Sequence, residues 1–424
     1  MSSFDFTSST ALAKRLGKTG RMPPLKIQIY PLDYNAIGTS NLIVPVGVTK
    51  FLSYEFSSSI IIPVDTFKFT FALPDSDGSL YSEVKEGDIV IISANDSKLM
   101  RGYVESVDIE VTADGGERIT ISGKDFLGYM EFQTAISIDD KPIYFDKCSI
   151  KQAVSNLCHN TRIQEKDIVV KDDPGIIAFG TEIGESKLAA LQRCVDPLNL
   201  LFWMDETGKL TVGKPGFSAK SSGKIVCNKA NREANVTNIR ARRESTTIPN
   251  IIVAAYTGQD QAQKEINLEQ RIMNPAKGPL RLLNNGHRVP QLINYSFPNP
   301  SDSNAAKAES LNLLQTTLSN MAIGYAAREF AKQNMKELTV EATVGGHYNE
   351  AGLPYVADTV YDVDFDRGGV KEAMYLHSVH YSLGEDGGQF TRLEFCKLYT
   401  SIVANNTLAG SATSQLAGAV VTPL

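Results

Sequence analysis

A three-stranded pattern that occurs twice constrains this chain more than any other feature. Its first copy spans Glu86 to Gly128. The opening run Asp88-Ile89-Val90-Ile91-Ile92 is β-branched and lies between Glu86-Gly87 and the polar stretch Ser93 to Lys98. Arg101 to Val111 follows, with Tyr103, Glu105, Val107, Ile109 and Val111 predicted on one face of a strand and Val104, Ser106, Asp108 and Glu110 on the other. Asp114-Gly115-Gly116 tolerates positive φ at a hairpin, and Arg118 to Ser122 is the returning strand. Tyr103, Ser106, Val107, Asp114, Gly115 and Gly116 recur without a gap as Tyr375, Ser378, Val379, Asp386, Gly387 and Gly388, and Ile119 to Ile121 falls beside Thr391 to Leu393. Upstream, Gly87 to Val90 faces Ala357 to Val360. A duplicated β-domain explains this; chance is the alternative, because Asp-Gly-Gly turns are common.

The rest of the chain fits around the two meanders. Predicted strands at Leu25 to Tyr30, Phe51 to Ser57 and Thr66 to Leu73 join the first, with Phe67, Phe69 and Phe71 alternating with polar residues and predicted to fill the core. From Phe132 the pattern turns helical. Ile150, Ala153, Val154, Leu157 and Cys158 keep helical spacing after a cap within Asp146 to Ser149, and Leu188, Leu191, Cys194 and Val195 do so after Ser186. Short strands at Asp167 to Val170, Ile176 to Phe179, Leu200 to Met204 and Lys209 to Gly213 complete an α+β module, and Pro215 to Gly223 reads as a linker. Strands resume at Ile225, Val236 to Arg242 and Ile251 to Tyr256. A polar stretch, Gln259 to Val289 with a turn at Asn284-Asn285-Gly286, and a helix over Ser303 to Lys336 then interrupt them. Glu337 to Val344, Tyr361 to Phe365, Met374 to Leu383 and Phe390 to Leu398 complete the second β-domain.

The expected fold class is therefore β-rich α+β. Residues 1–24 form an N-terminal arm, 25–131 the first β-domain, 132–215 the α+β module, 224–258 with 337–400 the second β-domain, 259–336 a helical insertion, and 401–424 a flexible tail. Arm and tail are too poor in apolar residues to order alone and are predicted to touch neighbouring proteins. The inserted helix, with Leu311, Leu314, Leu318 and Met321 along one side, is predicted to pack on its own second β-domain or on a neighbouring subunit.

Chemistry is sparse. The chain carries no phosphate-loop, dinucleotide, zinc-protease or nucleophile-elbow motif. His159, His287, His347, His377 and His380 are too scattered for a metal site, and His377 and His380 point to opposite faces of a strand. Asp139-Asp140, Asp172-Asp173 and Asp362 with Asp364 are the carboxylate pairs from which a glycosidase could be built; turns and surface are their plainer reading. Arg240, Arg242 and Arg243 form the densest basic cluster, which could meet a neighbour's acids or keep a strand edge solvated. Five cysteines without Cys-x-x-Cys spacing predict buried, reduced thiols. A net charge of −6 leaves no footprint for nucleic-acid binding. No apolar run spans a bilayer and the first residues lack a signal-peptide pattern, which predicts synthesis in the cytoplasm. No catalytic, cofactor-binding or metal residue is assigned.

The order of pieces resembles the central baseplate hub of contractile-tailed bacteriophages, the family of the late control D proteins and the N-terminal part of type VI secretion spikes. Gly87-Asp88-Ile89-Val90, Gly102 to Val107, Ile121 to Asp125, Phe202-Trp203-Met204-Asp205 with Gly208-Lys209-Leu210, and Gly345-Gly346-His347 carry the resemblance, over roughly Leu25 to Tyr399. It implies two tail-tube-like β-barrels per chain and a homotrimer forming a ring of six barrels. The implied partners are a tail tube protein, a separate central spike protein, other baseplate proteins and the tape measure protein, with DNA only in transit and the virion baseplate as location. Such a trimer presents six similar surfaces to a six-fold tube and three to a spike. A carbohydrate-active hydrolase of the tail and an unrelated β-rich scaffold or adhesin remain the alternatives.

Overall fold

The structure, a computed structural model, describes residues 25–30, 46–48, 51–72, 84–95, 97–111, 117–136, 141–173, 176–198, 200–216, 220–244, 251–259, 265–273, 284–288, 335–384 and 388–397. The N-terminal arm, the helix expected over Ser303 to Lys336 but for its last two residues, the C-terminal tail, the carboxylates Asp139-Asp140 and the Asp-Gly pairs at 114–115 and 386–387 lie outside them.

Seven strands form the first set: β1 (Leu25–Tyr30), β2 (Val46–Val48), β3 (Ser53–Ser59), β4 (Thr66–Ala72), β5 (Ile89–Ala94), β6 (Ser97–Val111) and β7 (Glu117–Asp125). A short helix α1 (Gly128–Phe132) leads into the module, made of β8 (Tyr144–Ser149), α2 (Ile150–Leu157), β9 (Ile168–Val170), β10 (Ile176–Gly180), α3 (Lys187–Val195), β11 (Leu201–Met204) and β12 (Leu210–Gly213). The second set opens with β13 (Ser221–Asn228), β14 (Glu233–Ala234) and β15 (Asn238–Arg243). After β16 (Ile251–Gln259), β17 (Glu265–Met273) and β18 (Asn284–Arg288) it closes with β19 (Leu338–Gly345), β20 (Thr359–Phe365), β21 (Val370–Leu383) and β22 (Gln389–Lys397).

The spatial order of the first set is β3-β4-β7-β6-β5-β1-β2, and that of the second is β15-β19-β22-β21-β20-β13-β14. Replacing each strand by its counterpart in sequence order turns one list into the other. From β3 onward the matching neighbours are antiparallel in both sets. The leading strands differ, since β1 runs antiparallel to β5 whereas β13 runs parallel to β20. The repeats also share a defect. The β6·β7 ladder skips one residue between Val104 and Ser106, and the β21·β22 ladder skips one between Leu376 and Ser378. The extra residues, Glu105 and His377, occupy the same place in the aligned copies.

That bulge corrects the alternation expected along β6. An extra residue resets which side chains share a face. Val104, not Tyr103, lies in the same core as Val107, while Tyr103 packs into the core of the module. Beyond the bulge the strand runs out of cover, and Ile109 and Val111 are 56% and 67% exposed.

Within β4 the alternation TFKFTFA behaves as expected: Phe67, Phe69 and Phe71 are buried and Lys68 is exposed. Its counterpart β19 buries Leu338, Val340, Ala342 and Val344 in the same rhythm. The repeats fill equal space with opposite choices. Phe67 lies opposite Gly123, where a Cβ would stand 2.6 Å from the Phe67 ring, and the matching pair is Val340 opposite Phe395. Large faces small each time, on exchanged strands, as dense packing requires.

The two sets lie in one fourteen-stranded sheet over one continuous apolar cluster, because β3 pairs with the C-terminal half of β21. A second cluster belongs to the module, where the Ser149 and Ser186 hydroxyls accept the amides of Gln152 and Ala189 and cap α2 and α3. The β11–β12 hairpin joins the clusters: Phe202 and Met204 enter the module core and Trp203 the main one. Ile251 to Tyr256, expected with the second set, instead belongs to a separate sheet in the order β17-β16-β18. The turn expected at Asn284-Asn285-Gly286 is the start of β18, paired in parallel with β16, so periodicity in this polar stretch underread its strands. The expected linker is also shorter, since β13 begins at Ser221.

Candidate functional site

With no catalytic motif, the place where the repeats meet is the structural feature to be explained. Along β3·β21, Tyr54 faces Leu383, Phe56 faces Tyr381 and Ser57 faces His380. The Phe56 and Tyr381 rings stack at 5.5 Å and 13°, and the Tyr381 hydroxyl donates to the Tyr355 carbonyl. Beneath them lies His347, which is 0% exposed. Its Nε2 is 2.5 Å from the Tyr54 hydroxyl and its Nδ1 is 2.8 Å from Thr391 Oγ1. Directions follow from the outer partners. The Thr391 hydroxyl donates to the Gly346 carbonyl, so it accepts from His347 Nδ1–H; Nε2 then accepts the Tyr54 hydroxyl, whose oxygen takes the Leu25 amide. A neutral imidazole completes this chain between the repeats, and burial holds its pKa down at about 3.

A second buried polar node ties the first repeat to the module. Asp65 and Asp125 are 5% and 0% exposed. The Ser59 amide donates to Asp65 Oδ1, the Asp65 amide to Asp125 Oδ2, and the Leu127 amide to Asp125 Oδ1. Burial pushes the Asp65 carboxyl up to about 7, and burial together with the neighbouring Asp65 charge raises Asp125 well above the carboxylate range. This is a buried acid pair of the kind a glycosidase needs. Its oxygens, however, take backbone amides, and neither residue lines the polar hollow of 270 Å³ that Glu55, Ser57, Lys68, Glu105, Lys124 and His380 help to form nearby. No sequence motif marks this pair; its one local sign is an Asp before the apolar Phe126-Leu127 that precede α1. A raised carboxyl favours the fold below its unfolded pKa of 3.8 and loses that contribution as pH rises through about 7. Replacing Asp65 by Asn should therefore flatten the decline in denaturant midpoint between pH 4 and 8; a profile parallel to wild type would contradict the assignment.

Of the carboxylates read from the sequence, Asp172 accepts the Lys214 amide, Asp173 is exposed, Asp362 is exposed and Asp364 accepts from the Asn228 side chain. His380 Nδ1 lies 2.6 Å from Ser57 Oγ, and His377, the bulged residue, is held down to about pKa 4 by burial. Among the described residues no group of three His, Cys, Asp or Glu could hold a metal ion. Four of the five thiols are buried and Cys227 is half-buried.

No protein-family model matches the chain, and no curated protein does. Solved structures do match. A tail protein from Neisseria meningitidis MC58 superposes with a TM-score of 0.65 at 16% identity, over 89% of this chain and 98% of the other. The 43 kDa tail protein of prophage MuSo2 from Shewanella oneidensis gives 0.59 at 15% identity, over 88% and 97%. The chain has the fold of phage tail proteins.

In this fold the stretches that carried the resemblance fall at joints. Gly102 and Gly123 sit where β6 and β7 cross beside the bulge, and a Cβ at Gly123 would lie 2.0 Å from the Tyr103 carbonyl oxygen. Gly208, at φ +81, makes the β11–β12 turn, with Asp205 Oδ1 accepting the Thr207 and Lys209 amides. His347 is the centre of the junction between repeats. Arg240 and Arg242 lie on one face of the exposed strand β15.

Proposed function

We propose that the chain is a structural, non-enzymatic protein of a phage tail, and more specifically the central hub of its baseplate. One observation carries the finer reading: a single chain holds two seven-strand units of the same order, already joined edge to edge. Three such chains supply six units, so a ring of them matches a six-fold tube on one side and a three-fold spike on the other. The centre of that ring is the path for DNA. The partners on this reading are two further copies of the chain, a tail tube protein, a separate spike protein, neighbouring baseplate proteins and the tape measure protein, all within the virion.

Sedimentation at high protein concentration tests it. The expected species has three times the chain mass of 46.3 kDa, and particles carrying the hub should show six similar lobes in projection. A stable dimer, or a chain that stays monomeric and is missing from purified tails, would overturn the hub assignment.

A further inference from the structure

Among the described residues, two strand edges lack the partner that their counterparts in the repeat have. In the second repeat, the half of β21 beyond the bulge is covered on one side by β22 and on the other by β3 of the first repeat, with pairs Ser378–Ser59, Val379–Ser58, His380–Ser57, Tyr381–Phe56, Ser382–Glu55 and Leu383–Tyr54. The matching half of β6 pairs with β7, but the pairing with β5 ends at Tyr103, and the other edge of β6 over residues 105–111 has no strand partner among the described residues. The counterpart of β3 is β15, which pairs only with β19 there. Among the described residues one acceptor edge and one donor edge are thus left over, and the β3·β21 pairing shows how such edges join.

The register can be transferred. Ile121 of β7 faces Phe69 of β4, which faces Tyr54 of β3; Leu393 of β22 faces Ala342 of β19, which faces Ile239 of β15. Tyr54 therefore corresponds to Ile239, and the aligned hairpins match Leu383 with Val111. We propose that β15 of one copy pairs antiparallel with the outer half of β6 of a second copy, placing Val111 opposite Ile239, Glu110 opposite Arg240, Ile109 opposite Ala241 and Asp108 opposite Arg242. This rests on the ring reading above and specifies its joint.

The chemistry of the two edges, which played no part in setting the register, agrees with it. Ile109 and Val111, more than half exposed, are the counterparts of Tyr381, which is buried under Phe56, and of the half-buried Leu383. In the joint Ala241 and Ile239 cover them. On the other face Glu110 and Asp108 each meet an arginine. Arg240, Arg242, Asp108 and Glu110 are all exposed in the single chain, where the Arg242 guanidinium lies 3.2 Å from the neighbouring Glu244. Opposite charges facing each other across strands stabilise a pair and like charges oppose it, so the pattern also sets which edges meet. Slipping the register by one residue would place Arg240 against an apolar side chain.

Cysteine pairs in the full-length chain test the joint. Ile109→Cys and Ala241→Cys, or Val111→Cys and Ile239→Cys, carried on separate copies and mixed under mild oxidation, should give a cross-linked dimer absent from either alone. Val107→Cys with Ile239→Cys, out of register by four residues, should give none. With both cysteines on one chain the covalent ladder should stop at three. Links at the named pairs with a ladder that stops at two or runs past three would keep the strand pairing and overturn the ring. A three-chain species with no link at the named pairs, or with a link at the out-of-register pair, would keep the ring and overturn the pairing. A monomer with no link overturns both. Arg240→Glu with Arg242→Glu should weaken association about tenfold, and adding Asp108→Arg with Glu110→Arg in the same chain should restore it; equal weakening without rescue would remove the charge pairing.

Discussion

Phe69→Ala lowers the unfolding free energy by about 3 to 5 kcal/mol. Phe69 is fully buried, and its ring centroid lies 5.3 Å from that of Phe51, 5.4 Å from Tyr54, 5.9 Å from Phe67 and 6.4 Å from Phe71. Truncation removes the apolar contact and leaves a void that these rings cannot close, because each is held from several sides. It also loosens Tyr54, through which the first repeat reaches His347. Lys68→Ala, on the exposed face of the same strand, should change stability by less than about 0.5 kcal/mol. Denaturant unfolding of the two variants beside wild type checks both; a loss under about 1 kcal/mol for Phe69→Ala would mean that the core repacks around the missing ring.

The junction histidine should make the fold sensitive to acid. An unfolded histidine binds its proton near pH 6.5, whereas burial holds His347 down to about 3, so the native state refuses a proton that the unfolded chain accepts. Its contribution is complete above about pH 6.5 and is lost as pH falls toward 3, at up to about 1.4 kcal/mol per pH unit. His377 acts in the same direction over a narrower window, down to about 4. The Asp65–Asp125 node acts in the opposite direction, so the wild-type profile alone is a sum of opposed terms. The difference between wild type and His347→Gln isolates one of them. At pH 7.5 the variant should be less stable by about 1 to 3 kcal/mol, since Tyr54 and Thr391 lose part of their hydrogen bonding. By pH 4.5 that gap should shrink by about 2 to 3 kcal/mol. A gap that stays constant would show that His347 titrates normally.

Local chemistry made much of the fold legible. The hairpins, the Phe67-Phe69-Phe71 stripe, the capped helices α2 and α3 and the Asp205 to Gly208 turn depend on residues close in the chain, whose alternation, caps and turn types follow from backbone geometry. The duplication was visible because two hairpins kept the same letters. Three features depended on contacts between distant segments. The bulges at Glu105 and His377 are set by how two strands cross, so a strict period of two misplaced Tyr103. β16 joined its own sheet because a strand's partner is chosen by what lies beside it. The buried pair Asp65 and Asp125, 60 positions apart, is seen only when the end of β7 meets the β3–β4 connection.

By itself, then, the sequence determined that the chain would build two like sets of strands around an α+β insert, because hydrophobic periodicity and turn residues act over a few positions. Only the tertiary structure decided that the sets share one sheet and one core. The strand that joins them, β3, carries Tyr54, Phe56 and serines that no local rule assigns to a partner, and its edge hydrogen bonds are satisfied equally by any strand of the right length. What selects β21 is the shape and cover offered by Tyr381, Leu383 and the buried His347, residues more than 290 positions away that become neighbours only in the folded chain.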